Sequence, residues 1–183
     1  MLKKLLFIAF TLTALSEAKS IEVLIEAFQD KNFKLVCQDG MKKYHKGNRD
    51  EDFLGMVGVA CAEIDYINPL GILQKSLKAT KAGRNNASYF STLILQKKLL
   101  YQFMVDGIDI GYLRLPDTGH ILSRIFKSLV LEKYETISKS NPKKLKISDS
   151  EGEIVIYTSN DRVTKVIVDV MKNGRKVATH WYR

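Results

Sequence analysis

"VTKVIVDVMKNGRKVATHWYR", residues 163–183, decides the class of this fold. Branched residues alternate with polar ones, and Asn173-Gly174 interrupts them. That pair is a strong hairpin signal, because both turn positions of a type I′ turn need positive φ. A two-residue loop there sets Lys172 against Arg175, so Val170 is predicted to face Val177, Val168 to face Thr179 and Val166 to face Trp181. Alternation then places Val166, Val168, Val170, Val177 and Trp181 on one side. Lys165, Asp169, His180 and Tyr182 fall on the other, wetter side. A second turn at Asn160-Asp161 puts Val155 opposite Val166. With a strand over residues 143–148, the segment reads as an antiparallel meander of three to four strands.

The valine face needs cover, and the upstream chain supplies it. Between residues 20 and 137 the apolar spacing is helical, so the fold class is α+β. "SKSNPKKLK", residues 138–146, is polar, basic and broken by Pro142, and reads as a linker. The expected organisation is a helical domain at 19–137, the linker, and a β-meander at 147–183 packed on the helices. Helices are predicted over 21–30, 32–45 and 51–66. In "INPLGILQKSLKATKAG", residues 67–83, Asn68 can cap, Pro69 fits a first turn and Gly83 suits a left-handed exit. Asn86 then caps a helix over 87–104, and Asp117 one over 118–136.

Cys37 and Cys61 are the chain's two cysteines, and both lie on apolar helix faces flanking the turn at 46–50. Antiparallel helices centred near residue 48 bring position 37 level with 59, within a short slide of 61. The two are therefore predicted to form a disulfide. Closing a loop of 25 residues stabilises by about 3.5 kcal/mol in the chain-entropy account. Gly55, Gly58, Ala60 and Ala62 let the helix backbones approach.

Helix starts near 32 and 69, and near 51 and 87, recur at intervals of some 36 residues, within the range of helix-turn-helix repeats. On that spacing and on "EDFLGMVGVACAEIDYINPLGILQKSLKATKAGRNNASYF", residues 32–104 resemble tetratricopeptide or Sel1-like repeats. The resemblance implies stacked α-hairpins with a groove for partner peptides.

Lys3 and Lys4, an apolar run over Leu5–Leu15, and Ser16-Glu17-Ala18 form a predicted signal peptide, residues 1–18, cleaved after Ala18. Eleven apolar residues fall short of the roughly 20 that span a bilayer. The expected location is periplasmic or secreted, which also favours the disulfide. Lys and Arg number 29 against 20 Asp and Glu, giving +9. Such a balance favours an anionic envelope component, an acidic protein or, by peripheral contact, anionic lipid. Dense basic runs are missing, so nucleic acid is not an expected partner.

Catalytic and metal signatures are few. No HExxH, P-loop, GxGxxG or GxSxG occurs, and no metal or cofactor is expected. Lys75, Lys78, Lys81 and Arg84 recur along one predicted helix face, as an anion-binding stripe or a solvated surface. In "MVDGIDIGYLRLPDTGH", residues 104–120, Asp106, Asp109 and Asp117 approach His120 among glycines. Glycine turns with a helix cap explain the loop and are the preferred reading. His180, diagonal to Asp169 across the hairpin, is a possible acid–base pair. The functional expectation is a non-enzymatic scaffold or accessory protein that binds a protein or an envelope component. The alternative is a small-ligand binder or minor hydrolase, with a pocket between sheet and helices or at the 104–120 loop.

Overall fold

A computed structural model of the chain describes residues 19–139 and 142–183, so the expected signal peptide lies outside the described residues. The helices are α1 (Ile21–Gln29), α2 (Phe33–His45), α3 (Glu51–Glu63), α4 (Leu70–Leu73), α5 (Lys81–Tyr101) and α6 (Ile121–Val130). The strands are β1 (Glu135–Ser138), β2 (Lys144–Asp149), β3 (Gly152–Thr158), β4 (Val166–Lys172) and β5 (Arg175–Tyr182). They form one antiparallel sheet in the order β1-β2-β3-β4-β5. The class is α+β with a C-terminal meander, of five strands rather than three to four. The sheet starts at Glu135, not 147. Ser138 ends β1 and Lys144 opens β2, so the expected linker is largely strand at its flanks, with residues 140–141 outside the described residues.

Helix starts follow side-chain capping. Ser20, Asn32, Asp50 and Thr80 each accept a backbone N–H three residues on, and the helices begin just after them. The helix expected after Pro69 is cut short. Leu70–Leu73 and a 3₁₀ turn over Gln74–Ser76 are all that form. The backbone N–H groups of Lys78, Ala79 and Thr80, which would carry the helix on, donate instead to the Glu51 carboxylate. Those N–H groups hold the Glu51 pKa down to about 2. α5 then starts at Lys81, six residues earlier than expected. Asn86 is consequently interior, and Gly83 lies in a first turn rather than at an exit. The last helix starts at Ile121 with His120 as its cap, not Asp117.

Cys37 and Cys61 are joined, with Cα atoms 4.9 Å apart. A side chain at Gly40 would strike Val57, so two contacts on either side of the turn run α2 and α3 back along each other. The third close approach is Gly58, where an added Cβ would lie 2.2 Å from the Phe90 ring of α5. The sheet's inner face adds Leu145, Ile147, Ile154, Ile156, Val166, Val168 and Tyr182 to the same apolar core as the helices.

The hairpin departs from its simple register by one residue. Asn173 and Gly174 both have positive φ, as the turn requires, and Lys172 pairs with Arg175. Beyond Met171, which pairs with Lys176, Val170 pairs with Ala178, so Val177 is the extra residue of a β-bulge. Val168 therefore faces His180 and Val166 faces Tyr182. Val155 faces Asp169 instead of Val166. One residue of slip exchanges the faces of β5. Tyr182 becomes 1% exposed, whereas Trp181 and Val177 stand 57% and 60% exposed.

Replacing Cys37 and Cys61 together by alanine is expected to lower the unfolding free energy by about 3 kcal/mol in urea melts. Gly58→Ala should destabilise by about 1–3 kcal/mol through overpacking, despite the helix-propensity gain of roughly 1 kcal/mol.

Candidate functional site

α3 ends on a left-handed residue that is not glycine. The Tyr66 N–H bonds the Cys61 carbonyl at 2.8 Å and the Asp65 N–H bonds the Ala62 carbonyl at 2.9 Å. This Schellman arrangement usually places glycine at the left-handed position. Here Asp65 occupies it, with φ of 57°. Aspartate tolerates that region better than most side chains, and the same turn carries Lys31 after α1 and Glu132 after α6.

Three donors meet the Asp65 carboxylate. The Tyr182 hydroxyl donates to Oδ1 at 2.9 Å, and His180 Nδ1 lies 3.0 Å from Oδ2. His120 Nε2 lies 3.3 Å from Oδ1. The His120 tautomer follows from its other nitrogen: Nδ1 accepts the Leu122 N–H at 3.2 Å as the cap of α6. Nε2 therefore carries the proton toward Asp65. One carboxylate thus ties the end of α3 to the start of α6 and to β5.

Burial alone raises the Asp65 pKa, but the bonds from His120 and His180, the His180 charge and the Tyr182 bond outweigh it. The net shift is below the ordinary carboxylate value. Burial drives the Tyr182 hydroxyl strongly upward, reinforced by the adjacent Asp65 charge, so Tyr182 remains a donor. Lys97 of α5 is 8% exposed and donates to Asn68 Oδ1. Burial pulls the Lys97 pKa down, partly opposed by Asp65.

These groups wall a cleft of about 370 Å³ at the seam between helices and sheet. Tyr66 and Trp181, 52% and 57% exposed, stand among its lining residues, with Glu63, Lys97 and His180. His180 Nε2 has no hydrogen-bond partner among the described residues, and its ring is partly exposed. An imidazole held through Nδ1 by a carboxylate, with its second nitrogen open, can exchange a proton with whatever occupies the cleft.

The expected site residues are dispersed. Lys75 sits in the 3₁₀ turn, Lys78 in a loop and Lys81 at the start of α5, so no single helical stripe forms. Arg84 donates to the carbonyls of Lys78 and Ala79. Asp106 closes a π-helical turn, Asp109 accepts from the Gly111 N–H and Asp117 from the Gly119 N–H. None of the three is hydrogen-bonded or ion-paired to His120 among the described residues, although Asp117 lines the same hollow; the His120 ring faces Asp65. Asp169 accepts from Thr179 and Tyr157 on the outer sheet face, away from His180. Among the described residues no group of His, Cys, Asp and Glu is placed to hold a metal. No described helix is long and apolar enough to cross a membrane.

Asp65 and Tyr182 are the candidate-site residues that sequence reasoning missed, Tyr182 because simple alternation places it on the wetter face. The available signal for Asp65 was a carboxylate just past a helix end, where glycine was to be expected. Comparison with known proteins returns no matching family model, no matching curated protein and no matching solved structure.

Because the folded pKa of Asp65 is depressed, its contribution is present above the unfolded value of about 3.9 and is lost as pH falls through the folded one. Asp65→Asn keeps the left-handed turn but removes the charge. The variant is expected to be less stable by about 1–3 kcal/mol at pH 7. Denaturant melts across pH should show that gap closing below about pH 4.

Proposed function

We propose that this is an exported, envelope-associated binding protein whose seam cleft takes a saccharide unit of an envelope polymer. The observation that carries the reading is the half-exposed Tyr66 ring beside Asp65, Lys97 and His180, with Trp181 at the rim, its ring 5.4 Å from the Lys165 ammonium on the outer sheet face. A sugar ring has apolar C–H faces and a rim of hydroxyls. Aromatic side chains meet the first, and a mixture of donors and acceptors meets the second. The cleft is at the small end of ligand sites, which run from about 300 to 1,000 Å³. The joined cysteines fit an oxidising compartment, and the positive charge fits an envelope rich in anionic groups.

One observation favours a second reading, a peptide partner. β5 is an edge strand, and its residues Thr179–Tyr182 line the same cleft. An extended peptide could add to that edge by backbone pairing.

Trp181 is the chain's only tryptophan, so its emission reports on the cleft alone. Titration with N-acetylglucosamine and galacturonate oligosaccharides is expected to shift that emission. Tyr66→Ala should weaken binding about ten-fold, in line with an aromatic contact of about 0.5–1.5 kcal/mol. An unchanged spectrum across both sugar series would reject the saccharide reading, and a shift produced by extended peptides alone would favour the second.

A further inference from the structure

Lysine is almost never buried unless it is paired. Among the described residues Lys97 is the one buried lysine, at 8% exposure. Asp39, buried to a similar degree, keeps a counter-ion, the Lys42 ammonium 2.7 Å away. Lys97 has no carboxylate within ion-pairing distance among the described residues. Its Nζ donates instead to Asn68 Oδ1, a neutral acceptor. An ammonium so placed is short of compensation, and burial favours the uncharged amine. A neutral lysine amine is a nucleophile.

The amine is not sealed off. Lys97 lines the cleft of about 370 Å³ together with Asp65 and His180. Asp65 fixes the His180 ring through Nδ1, and Nε2 has no partner among the described residues. One cleft thus holds a nucleophile and a proton carrier. The charge there selects the electrophile. Once Lys97 is neutral, the charged groups left on the wall are the carboxylates of Glu63 and Asp65, beside His180. A 2-oxo acid would bring its own carboxylate against them, whereas an uncharged hydroxyaldehyde meets no such repulsion.

We infer that Lys97 captures the carbonyl carbon of an uncharged hydroxyaldehyde, the open-chain form of a reducing sugar end, as a reversible imine. The choice of sugar rests on the saccharide reading above, whereas the capture step rests on Lys97 and His180. The Nζ lone pair forms the C–N bond, and the C=O π pair moves onto oxygen. His180 Nε2 takes the two protons that Nζ gives up, one after the other, and delivers them to that oxygen. The C–O bond then breaks, water leaves, and nitrogen and carbon share a double bond. Nothing is oxidised or reduced, and hydrolysis by the reverse path releases the sugar.

The test is trapping on the whole protein with cyanoborohydride, which reduces the imine to a stable amine, followed by peptide mass mapping. The probes are glyceraldehyde, N-acetylglucosamine oligosaccharides, and the same oligosaccharides with the reducing end converted to the alditol. A depressed pKa enlarges the neutral fraction of an amine, so Lys97 is expected to be labelled at least about ten-fold faster than exposed lysines such as Lys31 and Lys75. The alditols should give no adduct. His180→Asn keeps an N–H for Asp65 but removes the open nitrogen, and should slow labelling about 100-fold. Label spread over exposed lysines, with Lys97 unmodified in the unaltered protein, overturns the inference whatever the variant does to folding. Unchanged labelling in His180→Asn overturns the proton-carrying role. Alditols that move Trp181 emission as far as the reducing sugars, with no adduct from either, overturn the capture and leave the saccharide reading intact. Glyceraldehyde trapped at Lys97, while no saccharide is trapped or moves Trp181, upholds the capture and overturns the sugar assignment together with the saccharide reading.

Discussion

A carboxylate drawn largely out of water must be answered by donors, and in this fold the answer to the half-buried Asp65 joins helices and sheet. An ionised side chain removed from water costs several kcal/mol unless paired and hydrogen-bonded. Asp65 collects its donors from two separate elements, His120 at the start of α6 and His180 with Tyr182 on β5. For both β5 residues to face inward, β5 must present its even-numbered positions to the helices. The bulge at Val177 makes that possible, and it also sends Trp181 outward. A polar demand at one helix end thus sets the face of a strand far along the chain.

The arrangement separates two kinds of adhesion. Between the layers, apolar side chains such as Leu122, Ile125 and Phe126 of α6 share a core with Ile147, Ile154 and Ile156 of the sheet. That packing is non-directional and scales with buried area. At the seam the contacts are few, polar and directional, and each donor has a defined partner. A left-handed aspartate in place of glycine costs about 1 kcal/mol or more. Retaining it there makes sense where the carboxylate matters more than the turn.

Features governed by local rules were legible in the sequence. Ser20, Asn32 and Asp50 announce three helix starts, Asn173-Gly174 announces the hairpin, and the placement of Cys37 and Cys61 about one turn announces their bond. Features decided by distant partners were not. Glu51 claims the N–H groups of residues 78–80 from 27 to 29 positions away, which no propensity around Pro69 reveals. The bulge is invisible in an alternating pattern, because valine, threonine and tyrosine suit either face of a strand. Of the candidate site, His120 and His180 stand out individually in the sequence, the first near Asp106, Asp109 and Asp117 and the second diagonal to Asp169. Their true partner lies 115 positions from His180, closed over only by the complete sheet.

The disulfide and the seam cleft belong to opposite ends of the chain's own timetable. Cys37 and Cys61 are 24 positions apart and can find each other while most of the polypeptide is still being delivered. Tyr182 reaches Asp65 across 117 positions, well after both cysteines have been made. A half-emerged or mis-threaded molecule would thus be covalently secured yet leave its charged pivot unanswered. Closing the seam therefore waits on the sheet, whereas the covalent tie between the helices does not.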